Sequence, residues 1–71
     1  MEQCKVIAAK IKEIRLESNL TQAQFGEKLS VSQDTVSLWE TAKSIPTVEY
    51  ILLICKEFSV SADYILGITQ Y

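Results

Sequence analysis

Apolar residues recur along the chain at intervals of three and four. Between Glu2 and Ser18 they fall at Cys4, Ile7, Ile11 and Ile14, while Lys5, Lys10, Lys12, Glu13 and Glu17 fill the remaining face. That is the period of an α-helix with one buried stripe, and it predicts a first helix over this span. Asn19 tolerates the left-handed conformation that ends helices. Thr21 followed three positions later by Gln24 is a capping-box pattern, so a second helix is expected from there to about Leu29. A glycine inside a helix costs about 1 kcal/mol relative to alanine, so Gly26 is expected to mark a close helix crossing.

A turn of about three residues follows. Ser32 then offers a cap for a third helix, with Val36 and Trp39 inward and an end near Glu40. Pro46, immediately before a capping Thr47, restarts the chain as a fourth helix with the stripe Val48, Ile51, Ile54, Cys55 and Phe58, closing near Ser59. Ser61 caps a last short helix, Ala62 to Leu66, which Gly67 terminates. The pattern therefore predicts an all-α fold, a compact five-helix bundle.

Composition narrows the picture. A chain of 71 residues makes one domain, 1–71 with a core motif at about 7–67, and its 48% hydrophobic content suffices for a modest core. No apolar run approaches the roughly 18 to 20 residues of a membrane span, and the amino terminus lacks a cleavable leader, so a cytoplasmic protein is expected. Cys4 and Cys55 stand far apart in a chain without histidine, which leaves no metal cluster and no Cys-His pair; free thiols are expected, with Cys55 in the core. With no glycine-rich phosphate loop and no nucleophile-base pair, neither enzyme activity nor a small-molecule cofactor is expected.

Two of the five helices joined by so tight a turn suggest a helix-turn-helix unit, a geometry that many bundles share. The stretch Leu20 to Glu40, LTQAQFGEKLSVSQDTVSLWE, is more specific. With Ile11 to Arg15, Lys43, Pro46 and the closing SADYILG of residues 61–67, it resembles the phage-repressor and Cro family of helix-turn-helix domains over nearly the whole chain. The resemblance implies a lambda-repressor-like fold that binds double-stranded DNA, with the helix from about Gln33 to Glu40 in the major groove and the second helix crossing the backbone.

Roles then follow by position. Gln33 is expected to read a base edge, where its amide can bond adenine in a bidentate manner, and Ser37 lies one turn farther along. Asp34 and Leu38 fall on the same outward face; Asp34 suits either a cytosine amino group or simply the positive end of the helix dipole, and Leu38 a thymine methyl. Gln22 corresponds to a family glutamine that contacts phosphate and braces Gln33. Ser32 caps the reading helix, and Lys43, with Lys10 and Lys28, supplies charge near the phosphates. Arg15 and Glu40 are expected to form a structural ion pair. Ser30 replaces a corner glycine, and Thr41-Ala42 stands where the family often has Asn-Gly; Thr-Ala does not readily supply left-handed geometry, so the loop after the third helix is expected to be shaped differently.

Two readings of function remain. Seven basic residues against nine acidic give a net charge of −2, unusual for a nucleic-acid binder. The first reading is a sequence-specific transcriptional regulator, a repressor that binds a palindromic operator as a homodimer at the nucleoid. Surplus apolar residues at Tyr50, Leu53, Tyr64, Ile68 and Tyr71 would serve the dimer contact. The alternative, favoured by the acidic balance and Asp34, is an antitoxin-like or anti-repressor module that binds protein and makes little use of DNA.

Overall fold

A computed structural model describes residues 2–68. Five helices follow in order: α1 (Glu2–Glu17), α2 (Gln22–Leu29), α3 (Gln33–Glu40), α4 (Val48–Phe58) and α5 (Ala62–Leu66), with no strand among the described residues. α1 packs on α3 and α5, α2 on α3 and α4, and α4 on α5. The expected Tyr71 contribution lies outside the described residues.

The helix starts obey the capping pattern. Thr21 accepts from Gln24 N while the Gln24 side chain accepts from Thr21 N; Ser32, Thr47 and Ser61 each cap through a side-chain oxygen. The helix ends share a second device. Asn19, Ser30, Ala42, Ser59 and Gly67 follow the five helices and all have positive φ, between 56° and 72°. Only one of them is a glycine.

The Thr41-Ala42 loop thus keeps a left-handed step, contrary to the sequence expectation. Thr41 Oγ1 donates to the carbonyls of Ser37 and Leu38, and Lys43 N and Ser44 N both donate to Leu38 O, which holds Ala42 in place without glycine. A left-handed L-residue carries a penalty on the order of 1 kcal/mol. Ser30→Gly and Ala42→Gly are therefore each expected to raise stability by about 0.5 kcal/mol, net of the added freedom of the unfolded chain. Urea denaturation checks this; a lowered midpoint for both would refute it.

The core gathers Ile7, Ile11 and Ile14 of α1, Phe25 and Leu29 of α2, Val36 and Trp39 of α3, Ile51 and Ile54 of α4, and Ile65 of α5. Phe25 stacks on Phe58 with ring centroids 4.9 Å apart. Trp39 is buried and tilts against Tyr50, so it is a core residue and not a stacking platform. Three expectations need correction. Val48 is 71% exposed, because at 100° per residue it lies about 90° around α4 from the midpoint of the buried Ile51 and Ile54, off the edge of the stripe. Cys55 and Cys4 are half-buried free thiols, Cys55 covering the core edge and not its centre. What approaches Gly26 is the backbone of the following turn and not a crossing helix: a Cβ there would stand 2.5 Å from Val31 O and 3.3 Å from Ser32 O.

On the α1/α5 side, the Tyr64 hydroxyl donates to Glu13 and Lys10 Nζ sits 4.4 Å from the Tyr64 ring centroid. The hydrogen bond to Glu13, and secondarily burial, push the Tyr64 phenol up to about 12. A phenol whose folded value lies above its ordinary value of about 10 favours the fold while protonated, so this contribution is intact below pH 10 and disappears as pH rises through about 12. Ultraviolet titration in a background lacking Tyr50 and Tyr71 is expected to find this late ionisation and to find it lowered by Glu13→Gln; an unchanged midpoint would refute the assignment.

Candidate nucleic-acid interface

The candidate interface begins at the turn between α2 and α3. Phe25, Leu29 and Val36, buried on facing sides of the two helices, lock their mutual angle, and Val31 N donates to Gly26 O to close the corner. The amino-terminal turn of α3 is thereby held at the surface with Gln33 and Asp34 exposed. Ser32 Oγ accepts from Thr35 N at 3.2 Å and lies 3.1 Å from Thr35 Oγ1, so its hydroxyl is engaged in capping. Ser37 is half-buried and Leu38 is 44% exposed.

Behind this surface runs a continuous chain of polar contacts. Arg15 Nε donates to Glu40 Oε2 at 2.6 Å and Nη2 to Glu40 Oε1 at 3.1 Å, a bidentate pair whose side chains are only 12% and 4% exposed. Arg15 Nη1 also donates to Leu20 O at 3.0 Å, tying the start of α2 to the end of α1. The hydrogen bond to Glu40 is the main cause holding the guanidinium above its ordinary range. Gln22 Nε2 donates to Glu40 Oε1 at 3.1 Å, and Gln33 Nε2 donates to Gln22 Oε1 at 3.3 Å.

The direction of every bond in that chain follows from its first member. A carboxylate only accepts, so Gln22 must turn its amino group toward Glu40 and its carbonyl toward Gln33. Gln33 spends one N–H on Gln22 and keeps its second N–H and its carbonyl oxygen for whatever lies outside. One donor beside one acceptor is the complement of the major-groove edge of adenine.

The sequence pairs Arg15 with Glu40 and Gln22 with Gln33, and the structure joins the two pairs into one relay. The missing link was the Gln22 to Glu40 bond, for which the only signal in the sequence is that a shielded carboxylate has more lone pairs than one guanidinium satisfies. Lys43 is exposed just after α3, beside this surface, and Lys28 is exposed on α2. Lys10 is placed elsewhere: it lies about 140° around α1 from Arg15 and covers Tyr64. Asp34 stands free in the first turn of α3, where the helix dipole favours it. Of the expected dimer residues, Leu53 and Ile68 are exposed, whereas Tyr50 and Tyr64 turn a face to Trp39 and to Lys10 and Glu13 of their own chain. Among the described residues no group of side chains could hold a metal ion, and no helix is long and apolar enough to cross a membrane.

Comparison with known proteins bears on the same elements. A family model for helix-turn-helix domains matches residues 11–65. The transcriptional activator BcrR of Enterococcus faecalis is 42% identical over 58 residues, covering 82% of this chain and 28% of BcrR. The antitoxin PezA of Streptococcus pneumoniae is 34% identical over 62 residues, 87% of this chain and 39% of PezA. The chain thus spans well under half the length of these two relatives. Among solved structures, the P22 c2 repressor in complex with a synthetic operator superposes with a TM-score of 0.78 at 30% identity, covering 84% of this chain and 91% of the repressor chain.

Proposed function

The chain belongs to the helix-turn-helix family of DNA-binding transcriptional regulators, and on that premise we propose that it is a homodimeric repressor reading a palindromic operator at the nucleoid. The observation that carries the reading is the relay behind α3, which leaves Gln33 one donor and one acceptor at the exposed start of that helix. Gln33 is the principal base reader, with Ser37 and Leu38 following along α3. Gln22 and the unpaired N–H groups at the start of α2 meet phosphate, as does Lys43. Two copies related by a two-fold axis would set their α3 helices about 34 Å apart, one turn of duplex. The direction proposed, repression, follows the operator-bound P22 c2 repressor, 91% of whose chain this domain covers, in preference to the activator BcrR, of which it covers 28%. The chemistry of the surface is that of a reader and not of a catalyst.

Selection from random duplexes at low salt is expected to enrich a two-fold symmetric site, with affinity falling as salt rises. Gln33→Ala should lose about 1 to 3 kcal/mol against one preferred base, while Lys43→Ala should weaken all sequences alike. Equal behaviour of the two variants would undo the assignment. Failure to enrich any sequence would favour the second reading, an antitoxin-like protein-binding module, for which the acidic balance and the likeness to PezA speak.

A further inference from the structure

The outer face of α4 has no role in the core or in the reading surface. Ile51 and Ile54 point into the bundle, and roughly 150° around the helix from them lies a stripe of four residues: Glu49, Leu52, Leu53 and Lys56. Leu52 is 58% exposed and Leu53 37%, and Glu49 and Lys56 are exposed without an ion-pair partner among the described residues. A helix dipole alone favours an acid early and a base late. It does not favour two adjacent leucines in water between them.

The stripe is palindromic. Glu49 and Lys56 are equidistant from the midpoint between Leu52 and Leu53, about 10 Å apart along the axis. Laid antiparallel against a copy of itself about a two-fold at that midpoint, the stripe meets its own complement. Glu49 falls opposite Lys56 of the second copy twice over, and in the middle each leucine meets its own counterpart, Leu52 on one flank of the stripe and Leu53 on the other. Parallel packing would set like charges together, whereas the antiparallel copy sets each acid against a base.

We propose that the outer stripe of α4 pairs with the same stripe of a second copy, in an antiparallel, two-fold symmetric contact centred between Leu52 and Leu53. The proposal deepens the homodimer reading above and rests on it, replacing the expected tyrosines with Leu52, Glu49 and Lys56 beside Leu53. An eleven-residue helix is about 16 Å long, well short of a standard interface, so the contact alone gives a weak dimer, with a Kd on the order of tens of micromolar.

Sedimentation of the whole chain without DNA, from about 10 μM to 1 mM, tests it independently of operator reading. The unaltered chain is expected to move from monomer to dimer across that range. Glu49→Lys and Lys56→Glu should each weaken the dimer about tenfold or more, since each turns two attractive pairs into two repulsive ones. Mixed one to one, the two variants should form a heterodimer at least as tight as the original, because every cross pair is again opposite in charge. Any effect of the substitutions on the helix itself would act within one chain and could not be repaired by mixing, and circular dichroism confirms that each variant is folded. An unaltered chain that stays monomeric, variants that dimerise undiminished, or a mixture that stays monomeric would each overturn the pairing.

Discussion

Arg15→Ala is expected to lower the unfolding free energy by about 3 kcal/mol, because it strands a carboxylate that the fold has nearly removed from water. Glu40 keeps only the amide of Gln22 as a partner, and Leu20 O loses its donor, so the α1 to α2 connection loosens as well. Glu40→Ala should be similarly severe for the converse reason, with a further consequence at the surface. Without the acceptor, Gln22 is free to turn over, and Gln33 loses the partner that fixes its amide. The double variant should therefore be less destabilised than the two single effects added, by about 1 to 3 kcal/mol. Urea unfolding of the four proteins gives that coupling directly. Strict additivity would show that the pair is a surface contact of little consequence, worth at most about 1 kcal/mol.

Gly26→Ala is the second large effect. The added methyl would sit at 2.5 Å from the Val31 carbonyl, and that oxygen belongs to backbone, which cannot swing aside as a side-chain tip can. Relief requires the turn to move away from α2, and the turn carries Ser32, the cap of α3. A loss of about 2 to 3 kcal/mol is expected from overpacking. Specific DNA binding should fall further than stability explains, because α3 would sit at a changed angle to α2. The check is affinity for a selected operator well below the melting temperature, set beside affinity for unrelated duplex. If the two fall equally, the angle has not changed.

Much of this was legible in the chain because its local signals agree with one another. Each helix start after α1 is written twice, once in the apolar period and once in a Ser or Thr cap, and α2, α3 and α5 begin where both say so. The family resemblance then placed Gln22, Gln33, Arg15 and Glu40 close to one another. Val48 was misjudged because spacings of three and four admit residues about 90° off the centre of the stripe, without saying where along that arc packing ends. Gly26 was misjudged for a related reason: its smallness signals a neighbour without saying which. The Ala42 turn went astray because preference for glycine is a free-energy difference of about a kilocalorie, which four hydrogen bonds to the carbonyls of Leu38 and Ser37 outweigh. The α4 stripe escaped notice because its meaning lies in symmetry between copies, which a single helical period does not display.

A long flexible amide in water samples many rotamers, and freezing one on a ligand ordinarily costs about 0.5 to 1.5 kcal/mol. The relay from Arg15 through Glu40 and Gln22 removes much of that freedom from Gln33 when the domain folds. On the reading proposed for Gln33, contact with a base would then begin from an ordered side chain, and the benefit would not depend on counterion release. For a chain carrying more acid than base, part of the hold on DNA proposed for it would come from stillness, and that part should survive at ionic strengths that strip away contacts proposed for Lys43 alone.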